Sequence, residues 1–186
     1  MSRLFDLYGH SGAFDRSRDY IAPYLLDPRY GGDILKVTYP LARAMIVFIL
    51  CHEIAHIQLG HLAREGAPEL ELEADAKAAA YFRQVVRYGQ RDRDTHIHVD
   101  PKMAGAPLIF SMILELFEAW LIAKSVDLEN DRQHPPAAQR TAQLQTLMAD
   151  DLNEIALDIV IGASSAVTGL HDLLGLPAPI VGRQPE

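Results

Sequence analysis

The chain has 186 residues, enough for one domain with a real core. Hydrophobic residues make up 49% and charged residues 23%, the balance of a globular protein and not of a disordered or fibrous one. A formal net charge of −8 with no basic run excludes nucleic acid as the main partner, and the lone Cys51 excludes an intramolecular disulfide and points to the cytoplasm.

The opening MSRLFDLYGHSGAFDR is broken by charges before any apolar run develops, so no signal peptide is expected. Phe14, Tyr20, Ile21, Tyr24 and Leu25 recur at roughly helical spacing, which predicts a helix within residues 4–26. RYGGD at 29–33 reads as a turn. ILKVTY at 34–39 is short and β-branched, and predicts a strand, one that could bind a substrate backbone by strand addition. Pro40 suits the first turn of a helix over 41–59, apolar on nearly every face through Leu50 and hence expected to be buried, with Gly60 as its stop.

Residues 69–88 predict a second helix, rich in Ala and Glu, and 89–94 an exposed loop. THIHV at 95–99 alternates, which predicts a second short strand able to pair with the first; His96 and His98 on its one face read as a half-exposed pair, with a second metal site as the lesser alternative. Residues 107–126 are strongly apolar, but Glu115, Glu118 and Lys124 interrupt them, so a buried helix is expected and no membrane span. A loop at 127–136, short helices over 137–148 and 150–174, and a loose tail at 177–186 complete the chain. The expectation is a single domain over 1–186 with its core at about 34–175, mainly α and α+β at most, with a minimal sheet or hairpin.

The chemistry concentrates at IVFILCHEIAHIQLGH, residues 46–61. His52 and His56 are four apart, so a helix sends both imidazoles from one face, a spacing that suits one Zn²⁺. Glu53 is then placed to take a proton from a water activated by the metal. A catalytic zinc needs a third protein ligand and an open position. The arrangement with Gly three and His six residues past His56 fails, because the chain has Leu59 and Leu62; His61 is one residue out of register and beyond Gly60. The next helix offers Glu71 as ligand, with Asp75 one turn on to hold the free N–H of a ligand His, most naturally His52. Glu73 is the runner-up ligand, or a partner of Lys77.

His52-Glu53-x-x-His56, then Glu71-x-x-Ala74-Asp75, then His134-Pro135-Pro136-x-x-x-Arg140, resembles the gluzincin metallopeptidases of the CAAX prenyl-protease and HtpX type, over about residues 44–148 and in that family's order. The resemblance implies a zincin-like helical domain that hydrolyses peptide bonds of a protein or peptide substrate. It implies that His134 stabilises the oxyanion and that Arg140 contacts the carboxylate of Asp75. An ImmA-type regulator-cleaving peptidase is the nearer alternative, although that type generally has Asn where this chain has Asp75. A non-catalytic zinc-binding or partner-binding module is the other. A closed structural site would want a fourth ligand, and Cys51 points about 100° round the helix from the histidine face.

Overall fold

The computed structural model describes residues 31–64, 67–91, 99–124 and 134–176. The helix expected within 4–26, the histidines of the THIHV segment, loop residues 127–133 and the tail at 177–186 lie outside them. The chain forms two compact units, Met1–Leu41 and Ala42–Glu186. In the first, the described residues are the opening turns of a helix. The second holds the histidine motif and every other described helix.

The described residues form five α-helices: α1 (Gly31–Gln58), α2 (Pro68–Arg91), α3 (Ala106–Ala123), α4 (Ala137–Met148) and α5 (Glu154–Leu173). Three short 3₁₀ turns, His61–Ala63, Pro101–Met103 and Ala149–Asp151, join or precede them. There is no strand among the described residues, and the fold is mainly α.

The strand expected at 34–39 is therefore a correction: those residues are helical, and α1 begins ten residues before the expected start, with Pro40 in its interior. β-branched residues favour strands chiefly by packing against a paired neighbour. The helix satisfies its backbone without one, and loses only the hydrogen bond that Pro40 cannot donate. Helix α2 likewise continues through Gly89 to Arg91, where a loop was expected. Helix α5 starts later than expected because Asn153 caps it, its side chain accepting from the Ala156 N–H at 2.9 Å.

Helix α1 is not buried all round. Ala44, Phe48, Cys51 and Ala55 form an inward stripe, while Ile46, Leu50, Ile54 and Ile57 are exposed. On α2 the buried stripe is Leu70, Ala74, Ala78 and Phe82, small except at its ends. The Phe48 ring meets Phe82 edge-on at 6.0 Å and Phe110 of α3 at 6.2 Å, so three helices share one aromatic contact above the site. Helix α3 packs on both α4 and α5. At its entrance Gly105 leaves room for Val160 of α5, whose methyl group a Cβ would strike.

Among the described residues, three stretches are long and apolar enough to cross a membrane by length and composition: Lys36–Gln58, Pro101–Ala123 and Glu154–Leu173. In the second, Glu118 has a folded-state role, its carboxylate accepting the Ala137 N–H at 2.9 and 3.0 Å and so fixing the start of α4.

Candidate metal centre

The site lies where the C-terminal half of α1 faces the first turns of α2, and Arg140 of α4 reaches into it. The helical period puts His52 and His56 on one face of α1, their rings 4.6 Å apart. The two Nε2 atoms are 2.9 Å apart. Glu71, on the opening turn of α2, places Oε2 3.3 Å from Nε2 of His52 and Oε1 3.3 Å from Nε2 of His56. Among the described residues, these three form the group suited to hold a metal ion.

Donor atoms bound at about 2.0–2.1 Å in a tetrahedral site stand roughly 3.3 Å apart. Each imidazole stands at that separation from one of the two Glu71 oxygens, and the two rings would part by only a few tenths of an ångström to match it. Two imidazoles and one carboxylate are also a donor set that zinc accepts, so the residues present fit the ion.

Each ring nitrogen facing away from this point has a partner. Nδ1 of His52 donates to Oδ1 of Asp75 at 2.8 Å, which leaves Nε2 as the ring atom that faces Glu71. Asp75 is 0% exposed, so its charge needs compensation. Arg140 supplies it with a two-pronged pair, Nε donating to Oδ2 at 2.6 Å and Nη2 to Oδ1 at 2.8 Å. Nη1 of Arg140 also lies 3.6 Å from Oε2 of Glu71. Gln143 donates to the Leu72 carbonyl at 2.9 Å, and Arg83 to Oδ2 of Asp151 at 2.6 Å and to the Leu147 carbonyl at 2.8 Å, so α4 is tied to α2 along its length.

The electrostatics follow this wiring. Burial works against the imidazolium of His52, but the Asp75 and Glu71 hydrogen bonds outweigh it and lift its pKa to about 9. The hydrogen bond from His52 holds Glu71 down at about 2, against the opposing effect of burial. Burial would raise Asp75, yet hydrogen bonds from His52 and Arg140 keep it below the usual carboxylate range. His56 is pushed the other way: burial, then the neighbouring charge of His52, lowers it. Burial alone raises the Cys51 thiol, which makes it a poor nucleophile.

Glu53 stands beside His52 on the exposed side of α1, close enough for its charge to act on His56. His134, 61% exposed, brings Nδ1 within 3.5 Å of Oε1 of Glu71. The structure thus gathers His52, His56, Glu71, Asp75, His134 and Arg140 in one place. Among the described residues Glu73 is not in the group suited to a metal ion, and Lys77 lies over the Tyr81 ring at 5.3 Å. Sequence reasoning missed two supports. Glu118, the acid in an apolar helix, was a visible oddity that signalled a buried acceptor. His61 and its contact with Glu73 had no periodic signal, because Gly60 breaks the helix between them and the motif, with φ 71°.

The family model of Peptidase U49 matches residues 11–158. No curated protein matches the chain. No solved structure matches it either. The match spans the motif helix, the Glu71 helix and the His134–Arg140 block, and the chain belongs to the Peptidase U49 family, a family of peptidases.

Proposed function

We propose that this Peptidase U49 family member is a zinc-dependent endopeptidase of the gluzincin kind, with His52, His56 and Glu71 as ligands and a protein or peptide as substrate. The observation that carries the reading is the convergence of two Nε2 lone pairs and one carboxylate on a single point, 3.3 Å across both imidazole–carboxylate edges, with Asp75 behind His52. A bound zinc would supply Lewis acidity, polarising the scissile carbonyl and making a water acidic near neutral pH.

The chain's own residues do the rest. Glu53 accepts the proton of the attacking water and passes it to the leaving amine, a role its exposed position beside His52 permits. His134, whose Nδ1 lies 3.5 Å from Oε1 of Glu71, donates an N–H to the oxygen that gains charge as the carbonyl becomes tetrahedral. Arg140 holds Asp75, Asp75 holds His52, and the ring cannot turn. The Asp75–Arg140 pair and the His134 block favour this reading over the ImmA type.

Metal analysis of the purified protein and a broad peptide-library assay test it together. Wild type is expected to carry one zinc and to cleave; Glu53→Gln is expected to keep the zinc and to lose at least 100-fold in kcat, about the lower end of what a positioned general base contributes. Cleavage by Glu53→Gln at the wild-type rate removes Glu53 from the mechanism, and stoichiometric zinc with no cleavage of any peptide favours a non-catalytic zinc module.

A further inference from the structure

His61 is 4% exposed, a polar side chain buried beneath the motif helix. It arrives there by a break in periodicity. Helix α1 ends at Gln58, Gly60 turns the chain in the left-handed region at φ 71°, and the 3₁₀ turn His61–Ala63 brings the next imidazole back under His56. The two rings stand 5.0 Å apart, edge to face. Nδ1 of His61 lies 3.0 Å from Nδ1 of His56, and Nε2 of His61 lies 3.1 Å from Oε2 of Glu73. Arg64, whose side chain is exposed, also approaches Glu73, its Nη1 3.9 Å from Oε2.

The proton positions in this row follow from its ends. A carboxylate only accepts, so Nε2 of His61 carries the hydrogen that Glu73 receives. A neutral His61 then has a lone pair on Nδ1, and it accepts from the Nδ1–H of His56. That leaves the lone pair of His56 on Nε2, the atom facing Glu71 and His52. Glu73 therefore selects the tautomer of His56 through one intervening ring.

Resting on the zinc reading of the site, we infer that His61 and Glu73 are positioning residues for His56: a carboxylate–imidazole relay that orients the second metal-binding ring and keeps its Nε2 free for the ion. Neither touches the substrate or the ion. Their contribution is to affinity for the metal, since partners of this kind are worth roughly 10–100-fold in metal binding.

The test is zinc competition against a chelator, on the full-length protein stripped of metal and reloaded, with thermal melting of the metal-free form alongside. His61→Leu is expected to weaken zinc about 10–100-fold. His61→Asn, whose amide oxygen keeps an acceptor near the Nδ1 position, is expected to recover most of that loss. Glu73→Ala, at a side chain 53% exposed, is expected to lose several-fold in affinity with the metal-free melt unchanged. Equal zinc affinity for wild type and His61→Leu overturns the relay while leaving the site intact, and so does Asn performing no better than Leu. If the buried Leu variant does not fold, Glu73→Ala decides: undiminished affinity overturns the relay and a loss supports it. A wild-type protein that takes up no zinc overturns the site and the relay together.

Discussion

His52 and His56 sit one turn apart on the same helix and face the same point, but the protein holds them in opposite ways. Behind His52 stands Asp75, fully buried and clamped by a two-pronged arginine from a helix 65 residues on. Behind His56 stands another imidazole, and the carboxylate that finishes the row, Glu73, is half in water. The difference lies in what each arrangement risks. A buried carboxylate is a strong orienting group only while its countercharge is present, and it ties orientation of the ring to the stability of the whole helix packing. An exposed carboxylate orients more weakly, and its loss is absorbed by solvent.

The sharpest way to break this comparison is to remove each carboxylate in turn. Asp75→Ala leaves the Arg140 guanidinium without its main partner in a site that is nearly closed to water, and is expected to cost about 3–5 kcal/mol of stability. It should also weaken zinc at least as much as the loss of any other orienting partner, about 10–100-fold. Glu73→Ala is expected to cost no more than about 1 kcal/mol. Urea denaturation of the two metal-free variants measures both. If they are destabilised to the same degree, the two supports are equivalent and the distinction drawn from burial is wrong.

How much of this was legible beforehand depends on whether a regular element carried it. The four-residue spacings of His52 with His56 and of Glu71 with Asp75 are helical arithmetic, and the structure sets both pairs on helices whose faces meet. The mainly α fold was legible for the same reason. Residues 34–39 misled because a β-branched run states a packing preference, and packing depends on neighbours that a sequence does not display. The inward and outward stripes of α1 are blurred in the sequence because Ile46, Leu50, Ile54 and Ile57 are as apolar as the residues that face the core. His61 was illegible for another reason. Its place is set by one left-handed glycine and a 3₁₀ turn, and no spacing rule survives such a break.

The protonation of the two rings sharpens the comparison next. In the metal-free protein His52 is raised to about 9 and His56 is lowered, so one proton resides on the ring backed by Asp75. Because the folded pKa of His52 exceeds its unfolded value of 6.5, its contribution to stability is full below pH 6.5 and is lost as pH rises through about 9. Glu71 is depressed to about 2 from 4.5, so its contribution is present above pH 4.5 and is lost as pH falls through about 2. The metal-free protein should therefore owe most to this site between pH 4.5 and 6.5. Zinc must displace the His52 proton, so its affinity should rise about tenfold per pH unit between 6.5 and 9. NMR titration of the imidazoles in the stripped protein checks the assignment. Two rings titrating together near the ordinary histidine value would show that Asp75 and Glu73 support them alike.

The smallest expected effect comes from the far side of the site, where α4 and the residues just before it carry Arg140 and His134. Its first N–H, that of Ala137, is taken by Glu118, an acid whose pKa burial pushes up while the Ala137 hydrogen bond pulls it down. Glu118→Ala removes that cap and is expected to cost about 1 kcal/mol, whereas Glu118→Gln keeps an acceptor and should cost less. Glu118 touches none of the residues proposed to hold zinc, so the affinity for the ion should stay near that of wild type. The start of α4 would fray, His134 would lose its fixed distance from Glu71, and kcat should fall several-fold with KM for a short peptide little changed. A loss of zinc affinity in Glu118→Ala equal to that in Glu73→Ala would mean that the helix bearing Arg140 transmits to the metal as directly as the relay under His56 does, and the two sides of the site would then have to be treated as one support.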